Sequence, residues 1–234
     1  MTNKKEIIID ARNIKKTYRD NGVEVEAVRG VDLTIRAGEF TAIVGPSGSG
    51  KTTFLNTISG LDSPSEGDVI LDGKMLGALN GKQLSDLRRD NIGFIFQSYN
   101  LIPVLTVAEN IEYIMMLQGI GAKERTIRIK KILAEVELDG FEKRFPPQLS
   151  GGQQQRVAVA RAMVSGPKLI LADEPTANLD SKTSNNLLDM MKRLNQETGM
   201  TFLFSTHDPL IMDKADRVIS LKDGVIESDV LKSA

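Results

Sequence analysis

The sequence of 234 residues contains no cysteine, so the chain can form neither a disulfide nor a thiolate metal site. It also lacks any stretch that approaches the ~20 apolar residues needed to cross a bilayer. The apolar run near its start, three isoleucines long, is too short for a secretory signal. We therefore expect a soluble chain, which another protein must hold in place if it works at a membrane.

A surplus of charge of either sign is also missing. Lysine and arginine number 30 and aspartate and glutamate 31, which leaves a formal net charge of −1. Proteins that bind nucleic acids usually carry a basic surplus, so nucleic acid is not an expected partner. Hydrophobic residues make up 41% of the chain, enough for a substantial core. The length fits one domain, or one domain with an inserted lobe.

The first hundred residues have the pattern of strands separated by tight turns. Asn21-Gly22 predicts a hairpin between the first two strands, and Asp72-Gly73 predicts another. From about Tyr99 to Ser165 the pattern becomes helical, and Thr106 with Glu109 has the spacing of a helix capping box. This stretch predicts a helical insert.

After the helical stretch, short apolar segments alternate with amphipathic ones, as in KLILAD, SNNLLDMMKRLNQETG and TFLFST. Such alternation predicts a parallel sheet with crossover helices. We therefore expect one α/β domain: a mainly parallel core at roughly 1–98 and 166–234, an N-terminal antiparallel β layer, and a helical subdomain at roughly 99–165.

A glycine-rich stretch follows the apolar run FTAIV directly. Gly45, four further residues, Gly50, Lys51 and Thr52 fit the spacing of a phosphate-binding loop between a strand and a helix. Glycines allow backbone N–H groups to turn toward phosphate oxygens, and a helix N-terminus favours an anion. We expect Lys51 to contact the β- and γ-phosphates of a bound nucleotide and Thr52 to bind Mg²⁺. The predicted phosphate-binding loop comprises Gly45, Pro46, Ser47, Gly48, Ser49, Gly50, Lys51, Thr52 and Thr53.

Polar residues end three of the predicted strands, where ligands of open α/β sheets lie. Asp173 and Glu174 follow LILA, which places Asp173 as a direct or water-mediated Mg²⁺ ligand and Glu174 beside an attacking water. Gln97 ends GFIFQ and could contact both the Mg²⁺ and that water. His207, the only histidine, ends FLFSTH and could bond to the γ-phosphate. Taken singly, Gln97 and His207 are equally consistent with structural polar termini.

The stretch LSGGQQQRVAVARAM, Leu149 to Met163, resembles the signature motif of the ATP-binding-cassette (ABC) ATPases. We expect Ser150 to cap a helix, and Gly151 and Gly152 to free backbone donors at its positive end, which makes a second anion site. The resemblance covers nearly the whole chain. It implies that Ser150, Gly151, Gly152 and Gln153 close on ATP held by a second copy, giving a head-to-tail homodimer with two nucleotides at its interface.

The resemblance also assigns individual roles. It implies that the catalytic residues are Lys51, Gln97, Glu174 and His207. It implies Mg²⁺ ligands at Thr52, Gln97 and Asp173, a stacking contact between Tyr18 and adenine, and a D-loop that ends at Asp180.

Segments such as GFIFQSYNLIPVLTVAENI and LADEPTANLD look most like the lipoprotein-releasing (Lol-type), macrolide-exporter (MacB-type) and cell-division (FtsE-type) ATPases. This likeness implies a motor subunit on the cytoplasmic face of the cell membrane, bound to an integral-membrane permease with a large extracytoplasmic domain, for lipoprotein release or for peptide or drug export. The alternative is a regulatory ATPase that signals across the membrane without transport. A soluble phosphotransferase is disfavoured, because it has no use for the signature motif.

Overall fold

The computed structural model describes residues 6–20 and 23–232, which form two sheets and seven α-helices. The strands are β1 (Ile7–Asp20), β2 (Val23–Arg36), β3 (Phe40–Val44), β4 (Glu66–Leu71), β5 (Lys74–Met75), β6 (Ile92–Phe96), β7 (Leu169–Asp173), β8 (Thr201–Thr206), β9 (Arg217–Lys222) and β10 (Val225–Leu231). The helices are α1 (Lys51–Ile58), α2 (Gly81–Asn91), α3 (Val107–Leu117), α4 (Ala122–Glu135), α5 (Gly151–Met163), α6 (Ser181–Thr198) and α7 (Pro209–Lys214).

The predicted antiparallel layer is confirmed as a four-stranded sheet in the order β2-β1-β4-β5. The long strands β1 and β2 pair antiparallel, while the predicted Asn21-Gly22 turn between them lies outside the described residues. The tight turn at Asp72-Gly73 is confirmed, with Asp72 at φ 50° and Gly73 at φ 74°, and it joins β4 to β5.

The parallel core is confirmed as a six-stranded sheet in the order β10-β9-β3-β8-β7-β6, in which only β10 runs antiparallel to its neighbour. Its central strands are buried on both faces, which explains their continuous apolar sequences. Successive residues alternate between two cores: Leu169 and Leu171 pack toward the antiparallel layer and α1, whereas Ile170 and Ala172 pack toward the helices. This sheet places the ends of β3, β6, β7 and β8 along one edge.

Three helices, α3 to α5, lie between β6 and β7 in the sequence. Thr106 and Glu109 form the predicted capping box of α3, and Ile129, Ile132, Leu133 and Val136 are buried as their spacing predicts. The extent of a separate helical subdomain at 99–165 stays a prediction.

Sequence reasoning misses α2. The feature of the sequence that marks the start of α2 is a capping box. Asn80 accepts a hydrogen bond from the Gln83 backbone N–H, and the Gln83 side chain accepts one from the Asn80 N–H. The helix is mostly polar and buries only Leu87, so its sequence offers few apolar residues from which to recognise a helix. Within residues 6–20 and 23–232, no helix has the length and apolar character to cross a membrane.

Candidate functional site

The glycine-rich loop connects β3 to α1, as predicted, and leaves no space for side chains at two of its glycines. A Cβ atom on Gly45 would lie 2.0 Å from the carbonyl oxygen of Leu221, and one on Gly50, at φ 98°, would lie 2.2 Å from that of Ala27. The ammonium of Lys51 donates to the carbonyl oxygens of Gly45 (2.7 Å) and Pro46 (3.0 Å), so the loop wraps around it.

The start of α1 suits an anion. Helix α1 has neither a side-chain cap nor an acidic residue in its first turn, so its terminal N–H groups are free of competing acceptors from those sources. Together with the Lys51 ammonium, they make the loop an electropositive cradle of the kind that holds phosphate.

The loop borders a cavity of about 550 Å³ that also includes residues from three strand ends. Its lining consists of Ala27, Pro46, Ser47, Gly48, Ser49, Gly50, Lys51, Thr52, Thr53, Gln97, Glu174, Ala177, Ser205 and His207. The fold thus brings Gln97, Glu174 and His207 to one cavity with the predicted phosphate-binding loop. Sequence reasoning misses Ala27 and Ser205, which were assigned no role, whereas Ala177 lies in the predicted D-loop.

Glu174 follows directly after β7 and is held in a strained backbone conformation. Its φ is 45°, which a non-glycine residue adopts at a cost of about 1–3 kcal/mol. Its carboxylate bonds to His207 Nδ1 at 2.6 Å through one oxygen, and accepts a bond from Thr206 Oγ1 at 2.8 Å through the other. The Glu174 side chain is largely buried, whereas the His207 side chain is 74% exposed. Two strand-end groups that the sequence places 33 residues apart therefore form one pair.

The predicted Mg²⁺ ligands supply oxygen atoms at the same edge of the sheet. Asp173, the last residue of β7, lies 3.3 and 3.4 Å from Thr52 Oγ1 through its two carboxylate oxygens. Ser205 stands opposite Asp173 in the pairing of β7 with β8, and its buried hydroxyl has no hydrogen-bond partner.

A hydroxyl, a carboxylate and an amide oxygen are ligands that Mg²⁺ accepts when phosphate oxygens and waters complete its octahedron. No cluster of three or more His, Cys, Asp or Glu that could hold a metal occurs among the described residues.

The signature residues form the start of α5, as predicted, and lie outside the cavity lining. Ser150 caps α5 by accepting a bond from the Gln153 N–H at 3.3 Å, and Gln153 Oε1 accepts one from the Ser150 N–H at 2.9 Å. A Cβ atom on Gly152 would lie 2.5 Å from Thr183 Cγ2. The start of α5 is therefore packed against the start of α6.

Asp180 and Tyr18 likewise do not line the cavity. Asp180 caps α6, accepting bonds from the Thr183 hydroxyl and from the N–H groups of Lys182 and Thr183. The bonds from Thr183, its hydroxyl first, lower the pKa of Asp180. The Tyr18 hydroxyl donates to Asp62 at 3.0 Å. The nucleotide contacts of Asp180 and Tyr18 stay predictions.

The chain matches known proteins over nearly its whole length. The family model for ABC transporters matches residues 28–177. The chain is 45% identical over 226 residues to the uncharacterized ABC transporter ATP-binding protein MJ0796 of Methanocaldococcus jannaschii, covering 95% of this chain and 96% of that protein. It is 44% identical over 225 residues to the macrolide export ATP-binding/permease protein MacB of Brucella melitensis, covering 96% of this chain but only 35% of MacB.

Solved structures agree with these sequence matches. The dimeric structure of a post-hydrolysis state of the ATP-binding cassette MJ0796, bound to ADP and Pi, superimposes with a TM-score of 0.88 at 43% identity. The match covers 97% of this chain and 99% of that one. The chain therefore belongs to the ABC transporter family, as an ATP-binding subunit that hydrolyses ATP.

Proposed function

We propose that the chain is the motor subunit of a membrane transporter, in which ATP joins two copies head to tail and hydrolysis releases them. One observation carries this proposal: the chain has two glycine-rich helix starts suited to phosphate, at α1 and α5, but only the first lines the nucleotide cavity. The helix start at α5 can bind phosphate if it faces ATP that is bound by another copy of the chain. The dimeric MJ0796 cassette supports this arrangement.

Within each site, we assign binding of the phosphates to Lys51 and the backbone from Gly45 to Thr53. Ser150, Gly151, Gly152 and Gln153 of the second copy would close over the γ-phosphate through the start of α5. Tyr18 would stack on adenine, and Asp180 would contribute at the interface.

The same assignment places the hydrolytic chemistry on strand-end residues. Thr52, Gln97 and Asp173 would hold Mg²⁺, which neutralises phosphate charge when bound. Glu174 would accept a hydrogen bond from the attacking water, and that bond strengthens as the water oxygen forms its bond to the γ-phosphorus and the bond to the ADP oxygen breaks. The exposed His207 orients the Glu174 carboxylate and can turn toward the γ-phosphate.

We further propose that the subunit works in the cytoplasm on the inner face of the membrane, held there by an integral-membrane permease. The MacB relatives support this, because their names join an ATP-binding part to a permease. The chain spans about a third of the length of these MacB relatives. Lipoprotein release and export of peptides or drugs are the functions to test first.

The surface for that permease follows Gln97 in the sequence. Tyr113, Met116 and Leu117 are about half exposed on α3, at spacings that place them on one helix face. Val104, in the preceding loop, is 76% exposed. By contrast, Met115 is fully buried and belongs to the core.

One buried side chain fastens that loop to α3. Asn110 accepts a bond from the Ile102 N–H and donates to the carbonyl oxygens of Ile102, Leu105 and Thr106. This rigid apolar surface, comprising Ile102, Val104, Tyr113, Met116 and Leu117, suits a short amphipathic helix of the permease.

The experiment measures co-purification of this chain with an integral-membrane permease from the same organism. We expect Val104→Gln combined with Met116→Gln to lower the yield of complex at least fivefold, because both side chains leave water on binding. ATP binding and melting temperature of the isolated subunit should stay near those of the parent. Val230→Gln, which alters an exposed valine on β10, is the control. Full yield of a complex that still couples ATP to its task would place the coupling surface elsewhere.

A further inference from the structure

Gln155 connects the signature helix to two strand ends of the candidate active site. It lies on α5, two residues beyond the signature residue Gln153, and its side chain is fully buried. Its Nε2 donates to the carbonyl oxygen of Pro175 at 2.6 Å and lies 3.5 Å from that of Phe96. Pro175 follows Glu174, and Phe96 precedes Gln97. One amide thus contacts the backbone at the points where both candidate catalytic residues leave the sheet.

The hydrogen bond from Gln155 to Pro175 lies next to Glu174, whose backbone is strained. A residue such as Glu174, at φ 45°, keeps that conformation only where its surroundings fix it from several sides. From β8, the Ser205 carbonyl accepts the Glu174 N–H at 2.9 Å and Thr206 holds the carboxylate. From α5, the Gln155 side chain donates to the carbonyl oxygen of the following residue, Pro175. Removing the Gln155 bond would let the turn relax and move the Glu174 carboxylate.

Gln155 makes a mixed contribution to the stability of the fold. Its Oε1 atom is buried without a hydrogen-bond partner, and a buried unsatisfied acceptor destabilises the fold. Its Nε2 atom donates to the Pro175 carbonyl, which an apolar side chain of similar size would leave without this donor. What an apolar residue could not supply at this position is the hydrogen bond to the residue that follows Glu174.

We propose that Gln155 is a positioning residue for ATP hydrolysis, which fixes the strained Glu174–Pro175 turn from the signature helix. It acts through Glu174 and touches no nucleotide itself. The inference rests on the role proposed above for Glu174. It implies that a movement of α5 reaches the hydrolytic carboxylate through a single hydrogen bond.

The test replaces Gln155 with methionine, which keeps the volume and removes the donor. We expect turnover at saturating ATP to fall at least tenfold, while the Kd for ATP, read with a fluorescent analogue, stays within twofold of the parent. Gln154→Met is the matched control: Gln154 lies on the same helix but donates to Leu149, so its turnover should stay within twofold. Turnover is expressed per folded molecule, measured by circular dichroism.

Gln155→Asn, whose shorter amide cannot reach Pro175, tests the same bond if the methionine variant does not fold. Turnover within twofold of the parent, or a loss of ATP affinity that accounts for the whole loss of turnover, would overturn the proposal. Glu174→Gln is measured beside these variants to separate the two claims. If Glu174→Gln stays active, the role proposed for Glu174 fails. If Glu174→Gln is inactive and both Gln155 variants are fully active, only the role of Gln155 fails.

Discussion

Replacing Glu174 with glutamine is expected to lower ATP turnover by ~10²–10⁴-fold, the range that a positioned general base contributes. Glutamine keeps the shape of the side chain and can still accept the hydrogen bond from Thr206 Oγ1. It loses the basic oxygen that faces the cavity, and with it the charge beside His207 Nδ1. ATP affinity should stay within about twofold, because the phosphate-binding loop is untouched.

Turnover is measured by phosphate release at saturating ATP and Mg²⁺, and affinity by titration with a fluorescent analogue. Glu227→Gln makes the same chemical change on β10, outside the cavity, and should leave turnover unaltered. Turnover of Glu174→Gln within tenfold of the parent would assign the base to another residue of the cavity.

Replacing Lys51 with alanine is expected to lower ATPase activity by the second largest factor, after Glu174→Gln. Lys51 is a buried residue whose ammonium is held by its own loop, and it is the lysine of the cavity lining. A hydrogen bond to a charged group is worth about 1.5–3 kcal/mol, so the loss of its phosphate contacts should weaken ATP binding by roughly 10–150-fold. Turnover at cellular ATP should fall with it.

Thermal unfolding with and without ATP checks the Lys51 prediction. The parent should gain melting temperature on addition of ATP, because a ligand that binds only the folded state stabilises it, and the variant should gain far less. Lys82→Ala, an exposed lysine of α2, should behave as the parent. An unchanged ATP-dependent shift in Lys51→Ala would remove the phosphate-binding role from this loop.

The sequence predicted the fold well because its signals are local and repeated. The strand-loop-helix context of Lys51, the turn at Asp72-Gly73 and the capping box at Thr106 depend on neighbouring residues, and all three are confirmed. Helix α2 was not predicted, because it lies on the surface and buries a single leucine, Leu87. Its capping box was its one clear signal.

The contacts within the candidate site could be predicted only in part. Strand ends of a parallel sheet meet at one edge, so the convergence of Gln97, Glu174 and His207 followed from their positions. The bond between Glu174 and His207, and the strained φ of Glu174, depend on how β7 and β8 are aligned. Gln155 carried no signal, because an interior helix residue shows its partners only once the helix is packed.

The most direct measurement of the shared-site claim is the molar mass of the Glu174→Gln chain by light scattering, with and without ATP. With ATP and Mg²⁺ the account predicts a mass twice the 25.7 kDa of the chain, since closure is retained and hydrolysis is blocked. Adding Ser150→Asp should abolish the dimer, because aspartate still caps α5 but places a negative charge where the γ-phosphate of the other copy would bind. Adding Ser150→Asn, a neutral cap, should preserve the dimer. A monomer at saturating ATP with binding confirmed, or a dimer indifferent to Ser150→Asp, would contradict the account.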